Sequence, residues 1–117
     1  MKIYEFKTSY GKKYHIGLLK STYANNDTLY IEMVETTPKG KIKDYFDTLT
    51  VNLEFSFATK DKQYIDTNNL GEEILNWLKD NGIAKPTGEY GFSGYCTYPL
   101  FKFDKKVLAE MEELKDR

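Results

Sequence analysis

From Lys2 to Asp66 the apolar residues return at every second position, broken at short intervals by turn residues, and from Leu70 the period becomes helical. A period of two puts one set of side chains on one face of a strand. Spacings of three and four put them on one face of a helix. The order of these two periods limits the fold more than any single motif does.

Over residues 2–7, Tyr4 and Phe6 alternate with Glu5 and Lys7. Ser9-Tyr10-Gly11-Lys12 reads as a turn, and Tyr14, Ile16 and Leu18 mark one side of a strand over 13–20. Together these predict a β-hairpin. Ala24-Asn25-Asn26-Asp27 is a second turn. Over 28–36, Leu29, Ile31 and Met33 alternate with Tyr30, Glu32 and Val34. Thr37-Pro38-Lys39-Gly40 has proline and glycine where turns prefer them, and 41–47 reads as a short strand. Residues 49–58 alternate most regularly, which predicts Val51, Leu53, Phe55 and Phe57 inside and Thr50, Asn52, Glu54 and Ser56 outside. Thr59-Lys60-Asp61-Lys62 turns the chain, and Gln63 to Asp66 return it.

Leu70, Ile74, Trp77 and Leu78 share one helical face, which predicts a helix over 70–81. Asn69 is its expected N-cap, Glu72 stands where a capping-box partner would, and Gly82 is a stop signal with Pro86 beyond. Residues 84–96 read as a loop. Thr97 to Phe103 read as a last strand, which Pro99 assigns to an edge. Asp104 then caps a final helix with Val107, Leu108, Met111 and Leu114 on one side. The expected fold is α+β: an antiparallel β-meander of about five to six strands packed against two α-helices in the C-terminal half, with residues 1–117 as a single domain.

Composition excludes several classes. The formal net charge of −1 disfavours duplex DNA as a partner, because bulk phosphate neutralisation needs a basic surface. The lysines at 39, 41 and 43, and at 12 and 13, are expected to be solvated hairpin ends. One cysteine, Cys96, allows no internal disulfide and fits a reducing cytoplasm. The segment MKIYEFKTSYGKKY has no apolar stretch of the signal-peptide kind, and no run approaches a membrane span.

Catalytic signals are missing. Cys96 and His15 form the one conceivable thiol–imidazole pair, with no third orienting group to name. Metal-ligand spacing is absent, so neither a metal nor another cofactor is expected. Two polar segments stand out instead. Asp66, Thr67, Asn68 and Asn69 sit where strand gives way to helix, and hold more capping residues than one cap requires. The segment Thr87-Gly88-Glu89-Tyr90-Gly91-Phe92-Ser93-Gly94-Tyr95 mixes glycines with aromatic rings, either as an ordered loop packed over the sheet or as a contact surface with aromatic anchors. The candidate binding residues are Asp66, Thr67, Asn68, Asn69, Thr87, Tyr90, Ser93, Tyr95 and Tyr98. Glu110, Glu112 and Glu113 are expected on the wet face of the last helix.

Three blocks, Tyr64-Ile65-Asp66-Thr67-Asn68-Asn69, Gly82-Ile83-Ala84-Lys85-Pro86-Thr87-Gly88, and Ser93 through Phe103, occur in this order. This combination resembles the domain-of-unknown-function 4313 family, small proteins of bacteria, their phages and integrative elements. The resemblance covers about the C-terminal half. It implies an accessory protein of a mobile element, points to the same 66–69 and 87–98 surface, and supplies no catalytic assignment.

The expected function is therefore non-enzymatic. The first reading is an accessory protein of a phage or mobile element that binds a host or element protein, in its sharpest form inhibiting a host defence nuclease (anti-CRISPR or antirestriction type). The alternative is a small-molecule or nucleotide binder using the helix N-terminus at 66–69 and the Gly/Tyr loop 87–98. A further reading has single-stranded nucleic acid stacked on Tyr4, Tyr14 and Tyr30, if those rings face solvent.

Overall fold

The computed structural model describes residues 1–54 and 56–114. Three tight turns build its first sheet. β1 (Tyr4–Lys7), β2 (Lys13–Thr22), β3 (Leu29–Thr36) and β4 (Ile42–Thr48) pair antiparallel in sequence order. At the first turn the Gly11 amide donates to the Thr8 carbonyl and the Thr8 amide to the Lys12 carbonyl, both at 2.9 Å. Gly40 stands at φ 91°, a left-handed position that glycine takes without steric cost. The alternation reads the inner face correctly: Tyr4, Phe6, Ile16, Leu18, Ile31 and Met33 are all buried.

The chain then changes sheets. β5 (Thr50–Val51) pairs with β6 (Lys62–Ile65), and the second sheet runs β5-β6-β8-β7, with β7 (Ala84–Ser93) and β8 (Cys96–Phe103). The meander is thus split in two. The crossover shortens the strand expected over 49–58 to two residues and shifts its phase. Thr50 is buried, with its Oγ1 accepting from the Ile31 amide at 3.2 Å and bonded to the Tyr23 hydroxyl at 3.0 Å. Leu53 is buried as expected, whereas Phe57 is exposed. Phe55 lies outside the described residues.

The helix expected over 70–81 is two pieces, α1 (Thr67–Leu70) and α2 (Glu73–Asp80), broken at Gly71 with φ 80°. Asp66, not Asn69, is the first N-cap. Its carboxylate accepts from the Asn69 amide at 3.3 Å and the Asn69 Nδ2 at 2.9 Å. The predicted face of α2 is real: Ile74, Trp77 and Leu78 are buried.

Residues 84–93 form a strand where a loop was expected. β7 is an edge strand whose ladder is supplied by β8, and most of it is exposed on both faces, so it shows no apolar alternation. Conversely, β8 lies between β6 and β7 and is not an edge. Pro99 is tolerated there because it falls one residue past the last β6–β8 pair, Tyr64–Leu100, and beside the register break in the β7–β8 ladder. Asp104 does cap α3 (Lys105–Glu110), accepting from the amides of Lys106 and Val107 at 3.1 Å. The helix stops before Met111. β9 (Glu112–Glu113) then runs parallel to β2 beyond the end of β1, with the Leu114 amide donating to the Lys20 carbonyl.

The main core lies between the sheets and α2, and includes Ile16, Ile31, Met33, Ile65, Leu78 and Phe101. Each such side chain contributes about 1.5–3 kcal/mol by leaving water. A smaller cluster of Leu53, Tyr64, Tyr98 and Leu100 covers the other face of the second sheet. Gly91 closes over this cluster. A methyl there would come within 2.7 Å of the Tyr64 ring and collide with Leu53.

Candidate functional site

The second sheet carries both polar segments singled out in the sequence. α1 lies against β8, so Asp66 to Asn69 stand beside the middle of the β7–β8 hairpin. Asp66 and Asn69 are engaged with each other, while Asn68 is exposed. Thr87 belongs to the bulge. Its Oγ1 donates to the Leu100 carbonyl at 2.9 Å and accepts from the Glu89 amide at 3.2 Å. Tyr98 does not belong to the surface, because its ring lies in the smaller core. Burial raises its hydroxyl above the ordinary tyrosine value, with the Cys96 thiol and the Asp66 carboxylate adding to the rise.

The hairpin tip is different. Tyr90 is 58% exposed, Phe92 72% and Tyr95 fully exposed. Tyr90 and Phe92 share one face of β7, opposite Gly91. Tyr95 follows Gly94 in the turn, and Ser93 beside it is exposed. These rings are therefore not packed over the sheet, although the segment itself is a strand paired with β8. Phe92 is a surface ring that the candidate binding residues leave out.

A hollow of about 250 Å³ adjoins the other candidate segment and is lined by residues including Asp47, Asn69 and Glu73. Burial pushes the Asp47 carboxyl above its ordinary value. Its bond from the Thr48 amide at 2.8 Å opposes this, and the nearby Asp66 charge adds to it. The folded chain thus holds the Asp47 proton more tightly than the unfolded chain does. This group's contribution to stability therefore falls as pH rises from the ordinary carboxylate value through its raised one. Asp47→Asn keeps an oxygen acceptor for Thr48 and removes the charge. Its Tm should exceed the parent's by about 1–3 °C near pH 7. Differential scanning fluorimetry should show the gap closing towards pH 4.

Cys96 is half-buried on β8 in the second sheet, while His15 is exposed on β2 in the first, opposite Glu5. Among the described residues no group of three His, Cys, Asp or Glu is placed to hold a metal, and no helix is long and apolar enough to cross a membrane. Tyr4, Tyr14 and Tyr30 are engaged edge-on with Trp77, Phe46 and Tyr23 at 4.9–5.8 Å, and Tyr4 is buried, so they form no open stacking platform.

A family model described as Domain of unknown function (DUF4313) matches residues 18–116. The chain belongs to this family. The DUF4313 match extends well beyond the three C-terminal blocks and takes in both sheets from the middle of β2 onward. No curated protein and no solved structure matches the chain.

Proposed function

We propose that this DUF4313 member is a non-enzymatic accessory protein that works by binding another protein through the tip of the β7–β8 hairpin. One observation carries the reading: three large aromatic side chains, Tyr90, Phe92 and Tyr95, stand 58% or more exposed on a single hairpin. Rings held outward on a rigid support bind at low entropic cost and are the side chains that dominate protein interfaces. β7 is also an edge of its sheet, and past the bulge at Thr87–Glu89 residues 90–93 form a regular edge beside the rings. The partner fitting this surface is a host or mobile-element protein with an apolar cleft. The sharpest version remains inhibition of a host defence nuclease. The nucleotide alternative at 66–69 is weaker, since Asp47, Asp66 and Glu73 beside α1 would repel phosphate.

Phe92→Ser with Tyr95→Ser tests the reading, because both rings lie outside the core and the fold should persist. Quantitative capture from host cells with parent and variant baits is expected to show a specific protein depleted about 10-fold or more with the variant. Parent and variant baits that enrich the same set would refute it. A plasmid-restriction or phage-challenge assay with the same pair tests the defence version.

A further inference from the structure

The second sheet carries a charge arrangement that its own stability does not require. Lys62 on β6, Lys102 on β8 and Lys85 on β7 are direct cross-strand partners. Three ammonium groups therefore rise from adjacent strands about 4.8 Å apart. Like charges placed directly opposite destabilise a sheet. The four ion pairs among the described residues use the N-terminus, Lys13, Lys43 and Lys60, so this row is not offset by them. Lys79 near the end of α2 and Lys105 and Lys106 at the start of α3 line the same open groove as Lys85 and Lys102. Its volume is about 700 Å³. The acidic residue in the lining, Asp104, has its carboxylate occupied as the α3 cap. With 17 cationic and 18 acidic residues in the whole chain, five lysines gathered against one aspartate leave the remainder clearly acidic.

We propose that this groove binds the phosphate backbone of single-stranded nucleic acid, by charge and without reading bases. Its apolar lining, Ala84 and Phe103, is 5% and 1% exposed, which leaves no ring to stack a base or anchor a protein interface. A surface that holds its partner by charge alone suits a phosphate chain, whose affinity is largely electrostatic, better than a protein, whose affinity needs buried anchors. Lysine also acts as a point charge that grips phosphate without the planar pairing arginine offers carboxylates. A flexible single strand can follow one basic groove, whereas a duplex would bring its second strand against the acidic remainder.

The test is anisotropy of a labelled dT oligonucleotide of about 20 nucleotides with the full chain, from about 50 to 200 mM salt. Binding should weaken with salt with a log–log slope of about −2 to −3.5, the value for three to five phosphates. Lys102→Glu puts a carboxylate between Lys62 and Lys85. It should weaken binding about 10-fold or more while raising Tm by about 1–4 °C, a combination that a purely structural role would not give. Lys79→Glu with Lys105→Glu, both on exposed positions, should weaken binding without changing the fold. Unlabelled dT should compete better than duplex DNA or polyglutamate. The proposal fails if the oligonucleotide does not bind at low salt or if both variants bind like the parent. It also fails if polyglutamate competes equally, or if inorganic polyphosphate binds while the oligonucleotide does not.

Discussion

Trp77→Ala is expected to lower the unfolding free energy by about 4–5 kcal/mol. Trp77 is the side chain through which α2 grips the first sheet. Its ring meets Tyr4 at 5.8 Å and Phe6 at 5.3 Å, both edge-on, and its Nε1 donates to the Glu5 carbonyl at 2.9 Å. Truncation would remove the burial of a large ring, two aromatic pairs and the bond that satisfies that carbonyl. Domains of this size hold about 5–15 kcal/mol in all, so the variant would fold with little margin. Urea unfolding followed by far-UV circular dichroism measures the change, since the tryptophan signal is lost. Trp77→Phe keeps the ring contacts and loses the N–H, and should cost about 1–2 kcal/mol. An unchanged midpoint in the alanine variant would mean that α2 contributes no docking energy.

Gln63→Leu should cost about 3 kcal/mol although the volume barely changes. Gln63 has no solvent exposure, yet it joins the two sheets. Its Nε2 donates to the Leu29 carbonyl at 2.9 Å and to Thr28 Oγ1 at 3.1 Å, and its Oε1 accepts from the Tyr64 amide at 3.0 Å. A leucine would leave several buried polar atoms without these partners, each costing about 1–3 kcal/mol, against a modest gain in apolar burial. Denaturant titration reads the loss. A leucine variant as stable as the parent would show that the Gln63 bonds add nothing to the joining of the sheets.

The hairpin carries both proposed surfaces at opposite ends. Aromatic rings occupy the turn end, and Lys85 and Lys102 stand near the base, beside the chain's passage into α3. The variants for the first surface lie at the hairpin tip, and those for the second on β8, α2 and α3 at its base, so the two sets of measurements can fail independently.

Strand phase was legible in β1, where buried and exposed residues alternate, and less so in β2 and β3, where the run Ile16–Leu19 and the run Ile31–Val34 are buried on both faces. The face of α2 and the Asp104 cap were legible for equally local reasons. Asp66 stood among the four polar residues expected around the cap, although Asn69 was the one assigned to it. The lysine groove was not, because Lys62, Lys85 and Lys102 are separated by seventeen or more residues and meet only through strand register.

Sequence by itself determined which segments alternate, where the turns up to Lys62 fall, and that an α+β arrangement of antiparallel strands and helices follows. Tertiary structure alone decided that the strands divide into two sheets at Leu49–Thr50, that residues 84–93 become a strand, and that Pro99 sits in an interior one. The reason is the range of the interactions. Turns, caps and alternation are written by residues a few positions apart, whereas an edge strand takes its hydrogen bonds from a neighbour and leaves little trace in its own side chains.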